Sequence, residues 1–217
     1  MLKKNLLLIF LILTFQQTLS AETIKVFDFT KSEFETLKVK KVRGADAKTK
    51  YSLDKNEYGN FIRSESENAA SGLGKEIKIN LSKTPFLNIT WKVEKDLSGI
   101  NENSKKGHDY AARVFVIKKT GATPLSNRAM NYVYSSNNEV NINQPSPYTK
   151  KSIDYVLSTT KENLNEWVTV KVNVKEHFKK FHDLDVNDIE GVAIMTDTDN
   201  SEKTAIAYYQ NIYFSSE

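Results

Sequence analysis

Strict alternation of apolar and polar residues is the feature that most constrains the fold of this chain. Between Phe86 and Val93 four apolar side chains fall at every second position, with polar residues between them. The run Trp167 to Val174 repeats the pattern with four valines. Because side chains alternate between the two faces of a β-strand, each run predicts a strand with one face in a core.

Other segments are also rich in β-forming residues and bounded by turn residues. These predicted strands are Thr23–Phe29, Asn60–Ser66, Glu76–Asn80, Tyr110–Lys118, Met130–Ser135, Ser152–Thr159, Glu190–Thr196 and Ala205–Phe214. One short helix is predicted over residues 175–182, with Phe178 and Phe181 on its inner side, and Lys31–Glu35 could form another turn. The pattern predicts a mostly β protein, a two-sheet antiparallel β-sandwich of jelly-roll type, with a β-barrel as the alternative.

The first 21 residues have the pattern of a signal peptide. Lys3 and Lys4 precede a short apolar stretch, Leu6–Leu13, and Thr18–Ser20 offers small residues for cleavage after Ser20 or Ala21. The stretch is too short to predict a membrane span. We therefore expect a periplasmic or secreted protein in which residues 22–217 form one β-sandwich domain.

Composition excludes several classes of function. The chain has no cysteine, so it predicts neither a lipid anchor nor a disulfide framework. Its formal charge is +4, which falls to +2 without Lys3 and Lys4, and this is too small to indicate a nucleic-acid partner. The three histidines form no zinc pattern, and neither a serine-hydrolase elbow nor a phosphate-binding loop is present. We predict no cofactor, with calcium as the one exception to test.

Charged and polar residues are concentrated where two predicted buried strands end. Asp109 and Arg113 border the strand that contains Val114–Val116, and Asp197, Asp199 and Asn200 follow the apolar run from Gly191. On a regular strand Asp109 and Arg113 would point to the same side, roughly 13 Å apart. They could line one groove, or Arg113 could form a structural ion pair with an acid on a neighbouring strand, since a buried arginine needs a partner.

Asp197 and Asp199 allow several interpretations. Closely spaced carboxylates are candidate calcium ligands, although Glu202 and Tyr208 stand where a helix–loop–helix calcium loop needs glycine and an acid. Asp109 and Asp197 are also candidate catalytic acids. Alternatively these carboxylates bind sugar hydroxyls, or the segment is simply a turn rich in Asp and Asn.

Aromatic residues are the third candidate element of a site. Trp167 lies on the polar face of its predicted strand, which suits a stacking platform for a sugar, and Tyr134 and Tyr209 are further candidates. Trp91 lies on the apolar face of its strand and is expected in the core. Aromatic side chains also fill sandwich cores, so packing is the alternative for each of them.

The order of several motifs resembles a known family. They are Pro85–Val93, Gly107–Val116, Asn131–Tyr134, Ser146–Tyr148, Trp167, Gly191–Asn200, Ala207–Tyr209 and Ile212–Phe214. This arrangement is similar to the bacterial domain-of-unknown-function family numbered 3047. The resemblance implies an exported β-rich domain, similar to galactose-binding-like sandwiches, without an established activity. His108 stands where an acid is common in that family, and Tyr134 where tryptophan is.

Three functions follow as hypotheses. The leading one is an exported domain that binds a carbohydrate or envelope polysaccharide in a groove lined by Asp, Arg and aromatic residues. The second is a glycan-cleaving enzyme that uses a pair of carboxylates. The third is a structural envelope protein without a ligand, in which the acids only form ion pairs.

Overall fold

The computed structural model describes residues 21–217; of the predicted signal peptide, residues 1–20 lie outside that range. The elements in chain order are β1 (Thr23–Lys25), α1 (Lys31–Thr36), β2 (Lys38–Lys41), β3 (Lys50–Asn56), β4 (Gly59–Glu67), β5 (Ala70–Asn80), β6 (Phe86–Lys95), β7 (Ala112–Lys118), β8 (Arg128–Ser135), β9 (Asn143–Ser146), β10 (Thr149–Thr159), α2 (Thr160–Asn163), β11 (Val168–Asn173), α3 (Val174–His182), β12 (Asp188–Asp197) and β13 (Thr204–Ser215).

The strands form two sheets, so the predicted β-sandwich is confirmed. Sheet A contains β11, β6, β13, β4 and β3 in that order, and β1 also pairs with β13. Sheet B has the order β2, β5, β12, β7, β8, β10, β9. The pairs are antiparallel except for β8 and β10, which run parallel, a departure from the purely antiparallel sandwich that was predicted. No helix among residues 21–217 is long and apolar enough to cross a membrane.

The alternating runs place one face of each strand in the core between the sheets. Leu87, Ile89, Trp91 and Val93 of β6 are fully buried there, as the sequence predicts. The indole N–H of Trp91 donates to Ser158 Oγ on sheet B at 3.0 Å, which satisfies its one buried donor. Burial of these apolar side chains is the main source of stability in such a sandwich.

Four elements lie outside the predicted set: β2, β3, β9 and the short helix α2. β2 has the sequence Lys-Val-Lys-Lys and is mostly exposed at the edge of sheet B. β9 contains Pro145 and is the opposite edge strand. Edge strands bury little apolar surface and tolerate charge and proline, so their sequences lack a strong alternating pattern.

The predicted strand Tyr110–Lys118 begins later than expected, and this changes the position of Asp109. The strand β7 starts at Ala112, so Asp109 lies in the loop that precedes it. Strand alternation therefore does not place Asp109 on the same side as Arg113, and the predicted separation along a strand does not apply. The loop puts Asp109 beside the turn after β12 instead.

Candidate functional site

The two polar segments predicted from the sequence meet at one end of sheet B. Strands β7 and β12 are antiparallel neighbours, with Met195 paired to Arg113. The start of β7 therefore lies beside the end of β12, where Asp197 is the last strand residue. This pairing brings Asp109 and Arg113 together with the turn that carries Asp199 and Asn200.

Arg113 and Asp197 form a buried ion pair with two hydrogen bonds. Arg113 Nε donates to Asp197 Oδ1 at 2.7 Å, and Nη2 donates to Asp197 Oδ2. Nη2 also donates to the carbonyl oxygen of His108 at 2.6 Å, and the guanidinium lies 4.6 Å from the centre of the Tyr110 ring. Burial raises the pKa of the Asp197 carboxyl, while Arg113 opposes this shift. The guanidinium of Arg113 is thus held in place by Asp197 and by the His108 carbonyl.

Asp109 is fully buried and accepts hydrogen bonds from the turn after β12. Its Oδ1 accepts from the side-chain and backbone nitrogens of Asn200 at 2.8 and 3.2 Å, and Oδ2 accepts from the Ser201 N–H at 2.6 Å. Its side chain is sealed beneath that turn. Asp109 therefore fixes the turn and does not line the open groove.

A second chain of hydrogen bonds, missed in the sequence analysis, lies next to the ion pair. Asp154 Oδ2 is 2.6 Å from His108 Nε2, and Asp154 Oδ1 accepts from Asn131 Nδ2 at 2.5 Å. All three residues are buried, yet Asn131 Oδ1 has no hydrogen-bond partner within the described range 21–217. The residues come from the loop before β7, from β10 and from β8. The signals in the sequence were the polar Asn131 and Asp154 within largely apolar strands.

These groups border a groove of about 530 Å³ on the outer face of sheet B. The groove is lined by Val42, Arg43, Gly44, His108, Arg113, Phe115, Asn131, Ser146, Tyr148, Ser152, Met195, Asp197, Asp199 and Asn200. Tyr148 is 54% exposed, and its hydroxyl contacts Asn200 Oδ1. Phe115 is partly exposed in the middle of the sheet. Neither aromatic residue was predicted to be part of the site.

A row of paired residues crosses this face of the sheet, and two of them, Phe115 and Asn131, line the groove. From one edge to the other, the row is Lys38, Gly74, Ala193, Phe115, Asn131, Asp154 and Gln144. A second depression, of about 340 Å³, adjoins the groove and is lined in part by Gly72, Gly74, Ala193 and Ile117. The small side chains keep the floor of this face low beside the Phe115 ring.

A larger hollow, of about 610 Å³, lies between α1 and β5. It is more open and has no aromatic residue among its lining residues. Two of its charged groups, Glu33 and Lys75, neutralise each other in an ion pair at 2.7 Å. Size alone favours this hollow, but the chemistry of its lining does not, so we take the groove as the candidate site.

Four predicted ligand-binding residues do not line the groove. Tyr134 is fully buried, packs on Trp91 and donates its hydroxyl to Asn163 O at 2.7 Å, so it belongs to the core. Tyr209 is also fully buried, and its hydroxyl accepts from the Arg113 N–H at 3.2 Å, which makes it a support beneath the site. Trp167 lies at sheet A, against Phe61 and Tyr208. Asp109, as described above, is sealed from the groove.

The carboxylates of Asp109, Asp197 and Asp199 each offer an oxygen within 4.8 Å of the others, which is the geometry of a metal-binding cluster. However, both oxygens of Asp109 and both of Asp197 already accept hydrogen bonds from protein groups. Asp199 has one long contact, 3.4 Å from Asn200 Nδ2. Calcium binding at Asp197 and Asp199 therefore stays a prediction, and it would require some of these donors to be displaced.

Comparison with known proteins gives the family and the fold. The model of the family described as "Protein of unknown function (DUF3047)" matches residues 35–213, and the chain belongs to this family. No curated protein sequence matches the chain.

Among solved structures, the chain is similar to the family 30 carbohydrate-binding module of a cellulosomal cellulase of Clostridium thermocellum. The TM-score is 0.52 at 8% identity, over 90% of this chain and 98% of that one. Another structure of a family 30 carbohydrate-binding module gives a TM-score of 0.53 at 7% identity, over 90% of this chain and 88% of that one. At these identities the likeness concerns the fold.

Proposed function

We propose that this protein is an exported carbohydrate-binding protein that holds a glycan in the groove on the outer face of sheet B. The observation that carries the proposal is the position of Phe115. Its ring lies between Ala193 and Asn131 in the row across the sheet and faces a groove bordered by polar groups. An aromatic surface for the apolar face of a sugar, with fixed polar groups around it, is the usual chemistry of a sugar site.

Pre-organisation supports this proposal. The polar groups of the groove are held by one another: Arg113 by Asp197, His108 by Asp154, and Asn200 by Asp109. A site whose side chains are already ordered loses less conformational entropy when it binds a ligand. The likeness in fold to carbohydrate-binding modules also supports a carbohydrate as the partner.

The shape of the face favours a chain of sugars over a single unit. The groove and the adjoining depression meet where Phe115 pairs with Ala193 and where Met195 pairs with Gly72. An extended glycan could pass from the Tyr148 end over the glycines towards Ile117. This path suits a polysaccharide, as the predicted signal peptide and the expected periplasmic or secreted location also do.

The geometry favours binding over cleavage of the glycan. A glycosidase needs two carboxyl groups about 5–10 Å apart on either side of the scissile bond. Asp109 is sealed from the groove, and both Asp197 oxygens are bound to Arg113. If the protein released new reducing ends from a glycan and Asp199→Asn abolished this release, the glycan-cleaving hypothesis would be supported instead.

The test is calorimetric titration with neutral and charged oligosaccharides of envelope and plant-wall type, using Phe115→Leu and Trp167→Leu. Leucine at position 115 preserves apolar packing but removes the ring, so we expect affinity to fall by about tenfold. Trp167→Leu is the matched control on sheet A and should leave affinity unchanged. Equal loss in both variants, or no binding of any glycan at millimolar concentration, would contradict the proposal.

A further inference from the structure

Carboxylates outnumber cations at the Tyr148 end of the groove. Asp109, Asp154, Asp197 and Asp199 lie in or directly behind its wall, three of them buried. Arg113 is the buried arginine among them, and its Nε and Nη2 are already bound to Asp197 and to the His108 carbonyl. Buried charges are weakly screened, so an uncompensated carboxylate exerts its field on whatever enters the groove.

Asp109 and Asp154 are hydrogen-bonded largely to neutral donors of the protein. Asp109 accepts from the backbone and side-chain N–H groups of Asn200 and from the Ser201 N–H. Asp154 accepts from Asn131 and is bonded to His108. Even with His108 protonated, four carboxylates would face two buried cations. Two exposed cations are also near: Arg43 lines the groove, and Lys105 Nζ lies 5.8 Å from the centre of the Tyr148 ring. Because both are exposed, their charges are screened by water.

Asn131 is an independent observation that indicates the kind of ligand group. Asn131 lines the groove, and its Nδ2 donates to Asp154, which leaves Oδ1 as the other polar atom of the amide. This oxygen is buried and has no partner among residues 21–217. Buried polar atoms are nearly always hydrogen-bonded, so an orphan acceptor beside a groove is a place where water or a ligand can donate.

Asp199 is the carboxylate of this group with room for a ligand. It is half-buried at the groove wall, and its one side-chain contact is the long one to Asn200 Nδ2. Burial, and then the proximity of Asp109, raise the pKa of its carboxyl, in agreement with an excess of negative charge at this position. A cation placed beside Asp199 would relieve that excess.

We propose that this end of the groove takes a protonated amino group of the glycan, which is a hexosamine unit without an N-acetyl group. Asp199 supplies the counter-charge, and Asn131 Oδ1 accepts a hydrogen bond from the same sugar unit. The inference rests on the proposed function, because it assigns a substrate class to the same groove. It excludes uronic acids from this position, since a carboxylate there would meet like charges.

The test compares oligosaccharides of one length in calorimetric titration at low salt: β-linked glucosamine, N-acetylglucosamine, glucose and a uronic acid. The pH is set so that the free amine carries its charge. We expect the glucosamine oligomer to bind about tenfold more tightly than the acetylated and glucose oligomers, and the preference to weaken in high salt. The uronic acid oligomer should bind most weakly.

Asp199→Asn should abolish the preference for glucosamine while binding of the glucose oligomer is retained. Asp28→Asn, an exposed acid outside the groove, is the matched control and should leave the preference intact. Asn131→Ala should weaken all oligomers that bind, with a thermal melt to confirm that it folds.

Equal binding of glucosamine and glucose oligomers, or a preference that survives in Asp199→Asn, would overturn the inference and leave the proposed function standing. If no oligomer bound, both the inference and the proposed function would be rejected. A calcium-dependent gain for the uronic acid oligomer would also overturn it, because Asp199 would then serve a metal ion.

Discussion

Asp109 shows at the scale of one residue how a predicted ligand-binding acid becomes a structural one. The sequence places it beside a buried strand, which is also where the structure has it. Its carboxylate, however, is fully buried and accepts hydrogen bonds from Asn200 and Ser201. The carboxylate of Asp109 therefore holds the turn after β12 against the loop before β7, and this keeps Asp199 at the groove.

We therefore expect Asp109→Asn to destabilise the protein by about 1–3 kcal/mol, because one amide arm would present a donor to the donors of the turn. Chemical denaturation measures this, and Asp28→Asn serves as the exposed control. An unchanged or increased stability would indicate instead that Asp109 is a strained functional group.

At the scale of elements, the long loop between β6 and β7 positions His108 in the wall of the groove and Asp109 behind it. Glu102 fixes the loop from within: this buried carboxylate accepts from the Ser136 N–H at 2.7 Å and from Asn138 Nδ2 at 2.7 Å. The loop then packs backbone against backbone near Gly107, immediately before His108. A β-carbon on Gly107 would lie 2.6 Å from the carbonyl oxygen of Asn101.

Gly107→Ala should therefore force the loop to shift, at a cost of about 1–3 kcal/mol, and displace His108 from Asp154. The matched control is Gly72→Ala on β5, whose added carbon would meet Ile194 O at an ordinary 3.7 Å. Denaturation curves and the chemical shifts of the His108 ring report the two effects. A Gly107→Ala protein as stable as the Gly72→Ala protein would contradict the packing argument.

The whole molecule decides whether the acidic cluster is a metal site. Arg113 and the turn after β12 already occupy the oxygens of Asp197 and Asp109. We therefore expect millimolar calcium to change the Tm by less than about 1 °C, because a ligand stabilises the folded state appreciably only when its concentration exceeds its Kd. A rise of several degrees that disappears in Asp197→Ala or Asp199→Ala would establish the calcium site.

Recognition of the core from sequence succeeded because its signal is local. Trp91 and its neighbours in β6 alternate with polar residues, and alternation alone determines which face of a strand becomes buried. The edge strands β2 and β9 escaped prediction for the same reason, since they have little apolar surface to alternate. Tyr134 and Tyr209 show the limit: alternation puts both on a strand, but only the opposing sheet decides that each is covered.

The sequence by itself determined the strands, the buried faces, the sandwich class and the two polar segments at the ends of β7 and β12, because these depend on residues close together in the chain. Only the tertiary structure decided the composition of the groove. Asp154 reaches His108 across 46 positions of sequence, and Asp197 reaches Arg113 across 84. The order of the strands in the sheets determines these long-range contacts. It also determines that Phe115 faces an open groove whereas Trp167 lies on the other sheet.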